Sequence, residues 1–243
     1  MTETVMSDAE PEPQSKRRGG ALRFTRDLVL ILLAAVIISI GVKTFLVRSF
    51  YIPSASMTNT LQIQDRILVN ELVPTMMPLH HGDVVVFSDP GGWLTGTVAP
   101  QASQSPVEWV LSAIGLTAST TSDHLVKRVI GLPGDTVQCC TAFGQLSLNG
   151  TPINEEPYVR LNPGATDAYP KPFDITVPTG SLWVLGDNRD NSGDSGQHYS
   201  ADVPGSGFVP VSDVVGRAFV ITWPTSHWSW LDDYPDVFAG TER

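Results

Sequence analysis

The sequence predicts a mainly β, antiparallel domain preceded by one N-terminal transmembrane helix. Three features carry that expectation: a charge-free apolar run early in the chain, short Val- and Ile-rich segments after it, and glycine and proline between those segments. Removing the first fifty of the 243 residues leaves roughly 190, enough for one domain with a sizeable core.

Leu28 to Val42 reads LVLILLAAVIISIGV, and the apolar character continues past Lys43 to Phe45, Leu46 and Val47. Residues 28–47 thus supply the roughly 20 needed to cross a bilayer, with Lys43 placed to snorkel to the outer interface. Lys16, Arg17, Arg18, Arg23 and Arg26 all precede the run. The positive-inside rule then makes 1–27 a cytoplasmic tail and puts the chain from Arg48 outside. A cleaved secretory signal has the same charge order, but the long leading segment with Glu10, Pro11, Glu12 and Pro13 favours an uncleaved anchor. A buried core helix is a third reading, weakened because the run is apolar on every face.

Beyond the anchor, residues 66–70, 83–88, 125–130, 182–185 and 214–221 read as strands. Leu146, Leu148 and Ile153 alternate around Asn149-Gly150, a strong hairpin signal because both turn residues tolerate positive φ. Together these elements form an antiparallel domain over 48–223. Residues 89–123 shift to Gly, Thr, Ser, Pro and Gln and read as a loop insertion. Within it, 107–116 could form a short apolar helix resting on the membrane or on the domain's own core. Residues 224–243 form a C-terminal tail whose Trp228 and Trp230, with His227 and the preceding Trp223, could face lipid headgroups or pack on the sheet.

The net charge of -10 argues against nucleic acid, because phosphate binding needs clustered Lys and Arg. Cys139 and Cys140 are adjacent. Neighbouring Cα atoms lie about 3.8 Å apart, below the usual disulfide range of about 4.4 to 6.8 Å, so two reduced or buried thiols are expected rather than a strained vicinal disulfide. The Asp- and Asn-rich 186–195 loop raises calcium, yet with Gly193 at the sixth position of an EF-hand loop Tyr199 falls where a bidentate Glu belongs. No metal and no cofactor is expected. His80, His81, His124, His198 and His227 sit in no nucleophile-elbow or zinc-ligand context and read as surface or structural.

Three segments carry chemistry: Ile52-Pro53-Ser54-Ala55-Ser56-Met57, Lys127 to Asp135 (KRVIGLPGD), and Gly186 to Ser195 (GDNRDNSGDS). With Gly82 to Phe87 (GDVVVF) they resemble, in order, the motifs of the bacterial type I signal peptidases. The resemblance covers most of the chain from Arg48 to Trp223. It implies a β-sheet protease core with a smaller β insertion, here 138–178. It also implies that Ser56 is the nucleophile and Lys127 its general base. Ser54 and the Ser56 N–H would then serve the oxyanion, Ser192 would orient the lysine, and Asp187, Asn188, Arg189 and Asp194 would support the loop. Ile52, Pro53, Met57, Leu61, Leu125 and Val126 stand at positions that could contact substrate. The implied substrates are signal-peptide-bearing preproteins, cut after A-x-A-like sites at the outer face of a bacterial plasma membrane. Membrane lipid is the other partner, and a monomer the default.

The chemistry makes sense of these residue types. A serine hydroxyl needs a positioned base, and a lysine can serve only when neutral. At the ordinary pKa only about 4 in 10,000 lysines are neutral at pH 7. Lowering the pKa by about 3 requires about 4 kcal/mol, which desolvation among Leu125, Val126, Val129 and Ile130 can supply. The chain departs from the family pattern at Ala55, Asn59 and Gln64, where glycine, proline and glycine are common, and at Gly196, where arginine is frequent. That arginine would pair with Asp194, so some other donor must support Asp194 or the loop is looser here. A self-cleaving repressor-type Ser/Lys protease would need a DNA-binding module and no anchor. An inactive anchored β-domain that binds exported proteins is favoured by Gly196 and opposed by Ser56 and Lys127.

Overall fold

The computed structural model describes residues 18–94 and 124–242, with side chains placed in the N-terminal helix for 23–39 and 41. The 107–116 helix and most of the 89–123 insertion lie outside the described residues. Two compact units are present, one ending at Gly41 and one beginning at Val42.

Helix α1 runs Arg18–Phe45, and the first unit holds its part up to Gly41. Its described side chains are exposed all round, among them Val29, Ile31, Ile37 and Ile38. Among the described residues no helix is long and apolar enough to cross a membrane. The expected 28–47 anchor is therefore not shown as a span.

The second unit is mainly β and antiparallel. Its larger sheet has the strand order β1 (Val47–Tyr51), β2 (Arg66–Asn70), β11 (Val214–Trp223), β3 (Val84–Ser88), β4 (His124–Gly131), β9 (Ser181–Leu185) and β10 (Val209–Pro210), with β12 (Ser229–Trp230) paired to β11. Every pairing in it is antiparallel. The near-continuous valines of β3 reflect burial on both sides of a central strand. Val84 and Val86 enter a core with Phe50, Ile67, Val69, Ala218 and Ile221. Val85 and Phe87 enter a different one with Leu125, Val129, Leu182 and Val184. Alternation along one strand thus feeds two apolar layers.

A second, four-stranded sheet, ordered β7-β6-β5-β8, comprises β5 (Thr136–Cys139), β6 (Leu146–Leu148), β7 (Thr151–Pro152) and β8 (Phe173–Thr176). Asn149 at φ 52 and Gly150 at φ 83 make the tight turn between β6 and β7 that their residue types favour. This sheet shares its core with Ile130, Trp183 and Leu185 of the larger one. Residues beyond Trp223, read from sequence as a tail, fold back on the domain. Phe238 is buried in that shared core, and Asn149 Nδ2 donates to the Thr241 carbonyl at 2.8 Å. Trp223, Trp228 and Trp230 remain exposed.

One expectation is corrected: Cys139 and Cys140 are joined by a disulfide. Their peptide is cis, with the Cα atoms 3.0 Å apart.

Candidate functional site: a buried serine and lysine

Lys127 sits in the middle of β4, flanked by β3 and β9. Only 3% of its surface is exposed. Its Nζ lies 2.8 Å from Ser56 Oγ and donates to the Val126 carbonyl at 3.0 Å. Burial pulls its pKa from 10.5 down to about 8, against the opposing pull of the Asp194 and Asp187 charges. At that value roughly one lysine in ten is neutral at pH 7, several hundred times the fraction in water.

Ser56 is buried on the turn between β1 and β2. Its segment is clamped by the loop after β9: Asn188 N donates to the Ser56 carbonyl and Asn188 Nδ2 to the Ala55 carbonyl, both at 3.0 Å. Gly186 makes the close approach possible. A Cβ there would fall on Ser192 Oγ and within 2.5 Å of the Ser56 carbonyl oxygen. Ser54, more exposed, has its hydroxyl 3.4 Å from Ser56 Oγ. Ser192 Oγ is buried and has no hydrogen-bond partner among the described residues, so the lysine is held here by Ser56 and the Val126 carbonyl instead.

The clamp is itself braced by buried ions. Arg128 grips Asp187 in a two-pronged bond, Nε to Oδ1 at 2.9 Å and Nη2 to Oδ2 at 2.8 Å. Its remaining donors reach the Gly82 carbonyl at 2.7 Å and the Asp232 carbonyl at 3.0 Å, and its guanidinium lies 4.3 Å from the Tyr158 ring centre. Thr60 Oγ1 adds a bond to Asp187. Arg189 pairs with Glu155 of the smaller-sheet region and donates to the Gly186 and Ala168 carbonyls. Such pairs are held in place because stripping either partner leaves a buried charge unmatched. Thr60, Glu155 and Tyr158 had no place in the sequence reading. They lie outside its motifs, and only the tertiary contact reveals them.

Of the positions read as substrate contacts, Ile52, Met57 and Leu61 are buried together, with Val126 packed against them. Leu125 belongs to the other apolar layer and Pro53 is exposed. Among the described residues no group of His, Cys, Asp and Glu is arranged to hold a metal.

The departures from the family pattern have local explanations. Asn59 at φ 118 and Gln64 at φ 78 occupy backbone regions that L-residues rarely visit. A glycine is therefore conformationally natural at 64. Asn59 Nδ2 donates to the Tyr158 carbonyl at 3.0 Å. Asp194, which lacks an arginine at 196, accepts instead from the Tyr169 hydroxyl at 2.6 Å and from Gly186 N at 2.9 Å.

An antiparallel β scaffold that buries a serine hydroxyl against a lysine amine has the makings of a serine hydrolase that dispenses with histidine. Residues 25–223 match the family described as signal peptidase, peptidase S26. The chain is 37% identical to the signal peptidase I of Mycobacterium tuberculosis (strain H37Rv) over 91% of its own length and 82% of that protein's. It is 33% identical to the probable signal peptidase I-2 of Synechocystis sp. PCC 6803, over 96% and 87%. Among solved structures, a signal peptidase I from Enterococcus faecalis V583 aligns over 57% of this chain and 95% of its own, at 25% identity and a TM-score of 0.34. The chain belongs to the signal peptidase family, peptidase S26, and is a serine endopeptidase.

Proposed function

We propose that the chain removes signal peptides from exported preproteins after A-x-A-like sites, with Ser56 as nucleophile and Lys127 as general base. The observation that carries this reading is the 2.8 Å approach of a buried Nζ to Ser56 Oγ, with the lysine pKa drawn down to about 8. Neutral Lys127 takes the Ser56 proton as Oγ adds to the scissile carbonyl. The resulting oxyanion is met by the Ser54 hydroxyl and the Ser56 N–H. The ammonium then protonates the leaving amine as the C–N bond breaks, leaving an ester on Ser56. Water, deprotonated by the same lysine, then adds to that ester, and the lysine ammonium returns the proton to Oγ as the C–O bond breaks.

Ser192 is assigned the role of orienting Lys127; its hydroxyl is buried beside Gly186 and has no partner among the described residues, which leaves it uncommitted for that role. Ile52, Met57, Leu61 and Val126 supply an apolar wall suited to small side chains, with Leu125 and Pro53 beside the dyad in sequence. Loop residues Asp187, Asn188, Arg189 and Asp194 keep the Ser56 segment in register. The inactive-domain reading loses its support, since Tyr169 supplies the donor to Asp194 that Gly196 cannot.

The uninterrupted apolar run from Leu28 supports a single-pass anchor in a bacterial plasma membrane, with 1–27 cytoplasmic and the β domain outside. Lipid and preprotein are its partners, and it acts as a monomer without metal or cofactor.

The test is cleavage of a detergent-solubilised preprotein bearing an A-x-A site by wild type and by Ser56→Ala, with thermal unfolding as the folding control. Cleavage by wild type alone is expected, and full activity in Ser56→Ala contradicts the assignment. In membranes prepared without detergent the full chain is expected to stay with the membrane through a carbonate wash; release into the wash contradicts the anchor.

A further inference from the structure

The acidic end of the 186–195 loop holds a substitution that spans two distant segments. Tyr169 precedes β8 and is almost wholly buried, its ring in edge contact with Phe173 at 5.5 Å between centres. Its hydroxyl donates to Asp194 Oδ1 at 2.6 Å. A Cβ on Gly196 would stand 2.6 Å from both Cε1 and Cζ of that ring and 2.8 Å from its oxygen. Contacts that short do not exist in folded proteins, so the tyrosine ring and a side chain at 196 are mutually exclusive in this arrangement.

We infer that Tyr169 is a positioning residue for the dyad: it holds the Asp194 carboxylate from the side that an arginine at 196 would take, and Gly196 is the space it needs to do so. This rests on the Ser56 and Lys127 reading above and extends it to how the lysine is tuned. Asp194 lies where its charge reaches Lys127, and Asp187 acts on the lysine in the same direction while bound by Arg128. The other groups on Asp194 are the Gly186 and Gln197 N–H groups and, at its backbone carbonyl, the His198 N–H at 3.0 Å and the His198 ring at 2.9 Å. Tyr169 is therefore the one side-chain donor to the Asp194 carboxylate among the described residues. Burial, with the adjacent Asp194 charge, pushes the tyrosine pKa up, so the hydroxyl keeps its proton and remains a donor through the working range.

Removing that donor leaves the carboxylate charge less compensated, and it then holds the lysine proton more strongly. In the full chain in detergent at pH 7, with an A-x-A preprotein, Tyr169→Phe is expected to lower kcat about threefold and leave KM near wild type. The rising limb of kcat/KM against pH should move up by about half a pH unit. A purely structural tyrosine would change stability without moving that limb. Tyr169→Ala/Gly196→Arg, which frees the space and returns a donor, is expected to recover activity and the wild-type limb relative to Tyr169→Ala. A Tyr169→Phe limb that is unmoved or shifted to lower pH overturns the inference, as does the lack of any recovery in the exchange variant. Lys127→Ala separates the two levels. If that variant cleaves with the wild-type limb, the dyad reading itself fails; if it is dead while Tyr169→Phe keeps the wild-type limb, only the role of Tyr169 fails.

Discussion

Lys127→Met is expected to lower cleavage by about 10,000-fold or more and at the same time to make the folded protein more stable at neutral pH. The loss follows from removing the one amine hydrogen-bonded to Ser56 Oγ among the described residues. The gain follows from burial. An amine whose folded pKa is about 8 against an ordinary 10.5 carries a charging penalty of about 3 kcal/mol in the folded state. Below pH 8 the lysine is protonated in both folded and unfolded chains, so wild type bears the full penalty. Between 8 and 10.5 the unfolded chain binds more of the proton, wild-type stability rises with pH, and above 10.5 the penalty is gone. Methionine escapes the penalty but forfeits the bonds to Ser56 Oγ and the Val126 carbonyl, at about 1 kcal/mol each. Urea unfolding at pH 7 should therefore place Lys127→Met about 1 kcal/mol above wild type, with the advantage gone or reversed at pH 10.5. A variant less stable than wild type at pH 7 would show that the lysine is not held against a desolvation cost.

Arg128→Met should produce the largest loss of stability. It strands Asp187, whose side chain is 1% exposed, and opens the carbonyls of Gly82 and Asp232. Removing one member of a buried pair costs about 3 to 5 kcal/mol, or about 10 °C in melting temperature for a domain of this size. Activity should fall as well, because Asp187 stands next to Asn188, whose two bonds hold Ser56. The double variant Arg128→Met/Asp187→Asn should recover part of the stability, since the uncompensated charge is gone. Calorimetry of Arg128→Met, Asp187→Asn and the double variant checks this, and additive losses would mean that the pair is not coupled.

The contrast between these two residues shows what a sequence can and cannot disclose. Ser56, Lys127 and the 186–195 loop were legible because each sits in a short local motif whose order along the chain is itself specific. The strands were legible from Val and Ile runs broken by Gly and Pro, and the β6-β7 turn from Asn149-Gly150. Asn188, read as loop support, proved to be the clamp on the Ser56 segment. What brings the motifs together was not legible. Thr60, Glu155, Tyr158 and Tyr169 act across 25 to 127 positions of chain, and no local pattern marks a residue for a partner that distant. Gly196 is the instructive case. From sequence it is a missing cation, while in the fold it is the room that a tyrosine ring occupies. The cysteine pair was not legible for a different reason: two adjacent thiols carry no local signal that separates a reduced pair from a disulfide.

The most direct test of a neutral lysine as base is the pH dependence of kcat/KM for preprotein cleavage by wild type between pH 6 and 10. The account predicts a rate that rises about tenfold per pH unit below a single ionisation near 8 and levels above it. A profile already flat between pH 6 and 8, or one governed by an ionisation near 6.5 as a histidine would give, would contradict it.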